Sequence, residues 1–386
     1  MNNQSTHIFI FLEIFNGEGG IQSYIKDVLQ AYSTLTTQAE NKTTAEVFLL
    51  RDAQSCDNPF NHYPFKFHYL KSRLPMLGRL KLATRLLLSL GRRPNHVFCG
   101  HVKLAPLTRL LCGWLGVPYT VLTYGKEVWN WIPDKERQAL IAASGIWTIS
   151  RYSRDRLCAT QGINLDKVHI LPCVVDGAAF SPGKKSQDLI TKYGLADAKV
   201  LMTVARLWPT DIYKGVDVTI RALPQIAQAF PDLKYLVIGR GDDQPRLQQL
   251  AQDLGVGDRV IFAGFVPTQN LVEHYRLADA YIMPSQEGFG IVYLEALACG
   301  KPVLSGDADG SSDPLQDGNL GWQVPHRDID AVAAACREIL TGSYSSALLQ
   351  ADRRCEAQWL REQTLAKFGK DTLTQKLQQL LKAISP

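Results

Sequence analysis

From Lys199 onward the chain alternates between two periodicities, and that alternation leaves little freedom in how it folds. Short apolar runs at 199–204, 234–238, 259–263, 279–283 and 301–304 read as strands, and helical patterns fall between them near 216–229, 244–254, 269–277 and 290–299. Strands joined by helix-length crossovers pair in parallel. The order therefore predicts a doubly wound parallel sheet whose strand ends open toward one crevice. With 386 residues, the chain is long for one core and suits two domains.

The stretch Asp279 to Gly306 concentrates the chemistry. Its strand, Ala280 to Met283, breaks at Pro284-Ser285-Gln286-Glu287-Gly288. The apolar positions Ile291, Leu294, Leu297 and Ala298 then follow at helical spacing until Gly300. A loop handing a strand to a helix N-terminus offers free backbone N–H groups and a favourable dipole to an anion, and Gly288 and Gly290 let a ligand approach the main chain. Glu287 and Glu295 bracket this loop, and ionised carboxylates suit the hydroxyls of a ribose or sugar. The residue types alone equally allow Glu287 as a helix cap and Glu295 as a solvated helix charge.

Glu-Gly-Phe-Gly-Ile-Val-Tyr-Leu-Glu at 287–295, continuing into Ala298-Cys299-Gly300-Lys301-Pro302-Val303, resembles the Glu-x7-Glu signature of the retaining glycosyltransferases of family 4. The resemblance is strongest over 200–325. It implies the GT-B fold, α/β, with two Rossmann-like doubly wound parallel-sheet domains facing a deep cleft. It also implies transfer of a sugar from a UDP- or GDP-sugar to a glycan or a polyprenyl- or other lipid-linked acceptor. On the matching positions, Glu295 would hold the nucleotide ribose and Glu287 would lie by the donor sugar. The amides of Phe289, Gly290 and Ile291 would hold sugar hydroxyls and diphosphate, and the segment around Val266 would contact the base.

Arg206, after the first strand of this half, and Lys214, before the next helix, are two cations at a strand end, placed to grip a diphosphate. Solvated surface charge is the alternative. In the family their counterparts bind the diphosphate, so Arg206, Lys214 and Glu287 form the expected catalytic set, acting without a metal or other cofactor. Gly239-Arg240-Gly241 lacks the third glycine of a dinucleotide fingerprint. Asp307-Ala308-Asp309 matches a metal-binding Asp-x-Asp pattern, but its place in a glycine loop after the last strand is explained by turn chemistry.

The first half opens with the apolar strand His7 to Leu12 and a glycine loop before a helix, in which Gly19 and Gly20, by the resemblance, make room for donor phosphate and acceptor. Family members carry a histidine near the anomeric carbon where this chain has Tyr124. Tyr124 and Glu127 are therefore second-rank site residues, and either also fits as a packing residue. The expected domains are 1–176, acceptor-binding, and 177–360, nucleotide-sugar-binding, with a C-terminal helix 361–386 crossing back to the first domain.

Charge is uneven. Residues 1–176 hold 20 Lys+Arg against 13 Asp+Glu, the remainder 22 against 24, and no acid occurs between Asp57 and Glu127. Within that stretch Arg79 to Leu90 reads as a basic amphipathic helix. It fits either a core helix with snorkelling cations or contact with an anionic membrane surface through Arg79, Lys81, Arg85, Arg92 and Arg93.

No apolar run reaches the roughly 18 residues of a membrane span, and the first residues do not form a signal peptide. The 8 cysteines show neither disulfide nor zinc spacing. A cytoplasmic protein, peripheral on the inner face of the membrane, is expected. Nucleic acid is not expected as a partner, because no aromatic-basic interleaving or known binding module is present. The competing function is a catalytically silent nucleotide-sugar-binding regulator or scaffold; a nucleotide-sugar epimerase would leave the Arg206/Lys214 pair unexplained.

Overall fold

A computed structural model of the chain describes residues 6–17, 19–38, 44–342 and 352–384. It contains two compact units, residues 1–174 with 370–386 and residues 175–369.

The first unit is built on β1 (Thr6–Phe11), β2 (Thr44–Leu49), β3 (Phe65–Tyr69), β4 (His96–Cys99), β5 (Tyr119–Leu122), β6 (Gly145–Thr148) and β7 (Val168–Ile170). Neighbours run β3-β2-β1-β4-β5-β6-β7 and every pair is parallel. Helices cover both faces of such a sheet, so its strands are apolar on both sides, and Ile8, Phe48, Val97 and Val121 are fully buried.

The helix Pro75–Leu90 docks on this sheet through Leu82, Leu86 and Leu90. A buried carboxylate fixes it from β2. Glu46 accepts from His68 Nε2 at 2.7 Å, from Ser89 Oγ at 3.0 Å and from Arg92 at 3.1 Å. Burial opposes ionisation of Glu46, yet the hydrogen bonds from His68 and Ser89 bring its pKa below the ordinary value.

The second unit holds β8 (Lys199–Val204), β9 (Leu233–Ile238), β10 (Val260–Gly264), β11 (Ala280–Met283), β12 (Val303–Gly306) and β13 (Trp322–Val324), in the order β10-β9-β8-β11-β12-β13, again all parallel. The central strand β11 pairs Tyr281 with Met202 on one side and Val303 on the other, and all four of its residues are 0% exposed. Burying Ile282 or Met283 contributes about 1.5–3 kcal/mol each. Strand order reverses between β1 and β4 and between β8 and β11, the switch points outside whose carboxyl ends sheets of this kind take a ligand.

The larger differences from the sequence reading lie at one strand start, in the C-terminal tail and at the boundaries of the units. The strand expected at 301–304 starts at Val303, because Lys301 still donates to Ala296 O at 3.0 Å as the preceding helix ends, and Pro302 has no N–H to give. The tail expected as one helix over 361–386 is two. Ala357–Phe368 belongs to the second unit and Lys370–Ile384 to the first, while 385–386 lie outside the described residues. Gly369 breaks the run with extended backbone (φ −74, ψ 160) and bridges to Val175, whose N–H donates to Phe368 O at 2.9 Å. The units therefore meet in sequence at 174/175 and 369/370, not at 176/177 and 360/361.

Arg361 shows why the helix Ala357–Phe368 stays with the second unit. Its guanidinium donates to the carbonyls of Phe180 at 2.6 Å, Gly177 at 2.7 Å and Ala298 at 3.0 Å. Among the described residues no helix is long and apolar enough to cross a membrane.

Candidate functional site

The site in the second unit is assembled from the turns that leave β8, β11 and β12. After β8 the chain passes Arg206, whose largely exposed guanidinium lies 3.1 Å from the buried carboxylate of Asp211, and then a short turn, Pro209–Lys214. Gly215 follows in the left-handed region (φ 73), and a Cβ there would collide with the carbonyl of Pro284 at the end of β11. That close approach aligns the two turns. Gln286 N–H donates to Tyr213 O at 3.1 Å, and Lys214 Nζ forms an ion pair with Glu287 Oε1, with only 16% and 15% of the two side chains exposed.

The loop after β11 is held from beneath. The Tyr293 hydroxyl lies 2.8 Å from Ser285 Oγ and donates to Met283 O at 2.8 Å. Gly290 adopts a left-handed φ of 94, and a Cβ on it would strike the Tyr293 ring. The helix Ile291–Ala298 begins at once: Tyr293 N–H already donates to Gly290 O at 3.1 Å, and the N–H groups before it lie ahead of any intrahelical acceptor. Phe289 is buried edge-on against Phe368 at 5.6 Å, so what it can offer a ligand is its backbone. An anion at this helix start would meet amides and the positive end of the dipole.

Glu295 is half-buried on the second turn of that helix and accepts from Tyr275 Oη at 2.7 Å. Tyr281, in β11, is buried within electrostatic reach of both glutamates. Burial first, and then the charges of Glu295 and Glu287, drive its pKa well above the ordinary phenol range. Val266 is half-buried just beyond β10, beside Phe265, over whose ring Arg240 stacks at 4.7 Å.

The predicted residues thus divide in two sets. Arg206, Lys214, Val266, Glu287, Phe289, Gly290, Ile291 and Glu295 all follow or flank strand ends of the second sheet, with Lys214 and Glu287 in direct contact. Gly19, Gly20, Tyr124 and Glu127 lie in the first unit. Gly19 and Gly20 are exposed between β1 and the helix Gly20–Gln38. The Tyr124 hydroxyl donates to Gly100 O at 2.7 Å, and its N–H donates to Glu127. Burial raises the Glu127 carboxyl above its ordinary pKa, with hydrogen bonds from the Tyr124, Glu127 and Gly125 backbone acting against it.

Asp309 is the residue that sequence reasoning left out. It is 2% exposed in the turn after β12; its carboxylate accepts the N–H of Glu287 on one oxygen and the N–H of Ser311 at 2.8 Å, with the Ser311 hydroxyl, on the other. The available signal was the Asp-x-Asp pattern. Only its second acid turns inward, since Asp307 is exposed. Among the described residues no group of His, Cys, Asp and Glu is arranged to hold a metal ion.

The chain is similar to known proteins both in sequence and in fold. The model of the family described as glycosyl transferases group 1 matches residues 186–355. A GDP-mannose-dependent alpha-(1-6)-phosphatidylinositol monomannoside mannosyltransferase from Mycolicibacterium smegmatis is 36% identical over 231 residues, 56% of this chain and 59% of that protein. The protein of the same name from Mycobacterium tuberculosis is 32% identical over 262 residues, 64% of this chain and 67% of its own length. Among solved structures, a glycosyltransferase from Rickettsia africae superimposes with a TM-score of 0.78 at 16% identity, covering 99% of each chain. Anabaena HepE in complex with UDP and glucose gives 0.75 at 18% identity, covering 98% of this chain and 100% of its own. At such identities the structures establish the fold, GT-B.

Asp309 makes stability depend on pH in a definite direction. Burial above all, with the Glu287 charge adding to it, raises its pKa from 3.8 to about 7 against the pull of the Ser311 and Glu287 donors. Between those two values the folded chain retains a proton that the unfolded chain has released. The Asp309 contribution to stability is therefore full below about pH 4, falls as pH rises, and is lost above about 7. Urea unfolding across that range should show wild type losing stability relative to Asp309→Asn as pH rises, with parallel curves above 7. Curves parallel throughout would contradict the assignment.

Proposed function

This chain belongs to the glycosyl transferases group 1 family, and on that premise we propose that it transfers a sugar, with retention of anomeric configuration, from a nucleoside-diphosphate donor to a glycan or lipid-linked acceptor. The observation that carries the reading is the Lys214–Glu287 contact. It joins the turns after β8 and β11, at the point where strand order reverses and a helix N-terminus faces the same side. A diphosphate bound there draws Lys214 toward its oxygens, Arg206 adds a second cation, and the amides at Phe289 to Ile291 accept the remaining charge.

The donor is UDP- or GDP-linked. The mannosyltransferases that match this chain are named as GDP-mannose-dependent, which favours GDP-mannose as the first donor to try. In this reading Glu295, which accepts from Tyr275, receives ribose hydroxyls, and Glu287 orients the sugar. In the chemical step the bond from the anomeric carbon to the phosphate oxygen breaks. The acceptor hydroxyl bonds to that carbon from the same face, and its proton passes to the departing phosphate oxygen. Negative charge grows on the diphosphate as the bond breaks. Arg206, Lys214 and the helix start stabilise it in this reading, with no metal ion required.

The acceptor is read from the first unit. On the helix Pro75–Leu90, Met76 (80% exposed) and Leu80 (63%) stand in solvent together with Arg79, Lys81 and Arg85. That combination favours peripheral docking on the anionic inner face of a membrane, where a lipid-linked acceptor resides. Arg92 contributes less, because Glu46 already engages it.

Transfer or hydrolysis with a panel of UDP-, GDP- and ADP-sugars tests the reading and separates an enzyme from a silent binder. Lys214→Ala should lower kcat by about 100-fold or more while leaving donor affinity within a few-fold. Glu295→Ala should instead weaken donor binding by roughly 10-fold or more, as loss of a hydrogen bond to a charged group does. An unchanged kcat for the first, or an unchanged Kd for the second, contradicts the assigned role. In liposome flotation the protein should rise with anionic but not neutral vesicles, and changing Arg79, Lys81 and Arg85 to Ala should cost about 1 kcal/mol each. Equal recovery on both vesicle types removes the membrane face.

A further inference from the structure

The turn after β12 takes no part in the reading above, yet it is bonded backbone to backbone with the loop that carries Glu287. Gly310 N–H donates to Glu287 O at 2.8 Å while Glu287 N–H donates back to the Asp309 carboxylate. Two glycines make that contact: a Cβ at Gly310 would collide with the carbonyl of Gly288, and one at Gly306 with the carbonyl of Ser285. The loop after β11 is therefore fastened at Glu287 from the far side, and the fastening depends on a carboxylate where a peptide group or a hydroxyl would be far cheaper to bury.

We propose that Asp309 is a positioning residue for donor binding: its carboxylate braces the 285–290 loop through the Glu287 amide, fixing the direction of the Glu287 side chain and the start of the helix Ile291–Ala298. The inference rests on the donor reading of that loop. The brace also sorts the loop's donors. The Glu287 N–H is committed to Asp309, the Gln286 N–H to Tyr213 O and the Tyr293 N–H to Gly290 O, which points to the amides of Phe289, Gly290 and Ile291 as those that meet a ligand.

The charged groups around Asp309 are few. Glu287 carries a like charge and is paired with Lys214, the Tyr293 phenol lies within electrostatic reach, and Asp307 is exposed. Three donors converge on the two Asp309 oxygens; the ionised form binds them through charge-assisted hydrogen bonds, and a proton on the carboxyl takes away the charge that strengthens all three. With a pKa of about 7, that loss falls in the neutral range. Ser311 donates to the charged form, so removing its hydroxyl moves the transition to higher pH.

The test uses the full chain and two readouts. Amide hydrogen exchange over 285–291, corrected for intrinsic rates, reads the brace without any ligand, and titration with GDP, UDP and GDP-mannose reads donor affinity. Asp309→Asn should raise exchange over 285–291 by about tenfold at pH 8 and weaken nucleotide binding by about tenfold, with a smaller effect on kcat. Wild-type affinity should fall as pH drops from 8 to 6, with the Asn variant flat. Ser311→Ala, which retains the carboxylate, should move the midpoint of that fall upward, a response that a residue serving only stability would not give. Unchanged exchange in Asp309→Asn overturns the brace, as does tighter nucleotide binding, the result expected if the carboxylate merely repelled a diphosphate. Faster exchange in the variant, with no nucleotide bound by wild type, would retain the brace and remove the donor reading beneath it.

Discussion

The ion pair between Lys214 and Glu287 joins two segments that sequence separates by 73 positions, and the candidate site is organised around it. Both side chains are mostly withdrawn from water, so part of the Coulomb attraction is spent on desolvation and the net gain in stability is small. What the pair does secure is placement. A lysine and a glutamate are held at adjoining strand ends, and either can exchange its partner for a ligand group. A cation that merely stabilised the surface would not need a left-handed glycine beside it, packed against the backbone of the neighbouring strand's turn.

That placement follows from the parallel sheet. In a doubly wound unit every strand delivers its C-terminal turn to the same edge, and where the order reverses, between β8 and β11, neighbouring crossovers diverge and leave a gap. Lys214, Glu287 and Asp309 come from the turns after β8, β11 and β12. The helix Ile291–Ala298 contributes Glu295 from inside the unit, with Tyr275 and Tyr281 packed behind it. The polar groups of the site rest on a layer of buried tyrosines, and each of these hydroxyls has a named hydrogen-bond partner: Glu295 for Tyr275, Val204 for Tyr281, and Ser285 and Met283 for Tyr293.

Much of this was legible in the residues, because the decisive signals are local. Strand, glycine loop and helix follow one another within 279–306, with Glu287 and Glu295 at fixed places in that pattern, and Arg206 and Lys214 stand between the strand at 199–204 and the helix that follows it. What escaped reading depends on contacts between distant turns. Asp309 looks like turn chemistry, and toward Ser311 it is; its bond to the Glu287 amide crosses 22 positions and leaves no periodic trace. The break at Gly369 was hidden for the same reason, since only the bridge to Val175 distinguishes it from an ordinary helical glycine. In the helix Pro75–Leu90, apolar residues recur so densely that spacing does not separate buried Leu82 and Leu86 from exposed Leu80 and Leu88.

The most direct check on the account is a crystal structure of the protein soaked with GDP and with GDP-mannose. The account predicts a diphosphate within about 3 Å of the amides at Phe289 to Ile291, with Lys214 turned from Glu287 to a phosphate oxygen and the ribose on Glu295. A nucleotide bound away from the ends of β8 and β11, with the Lys214–Glu287 pair intact, would contradict it.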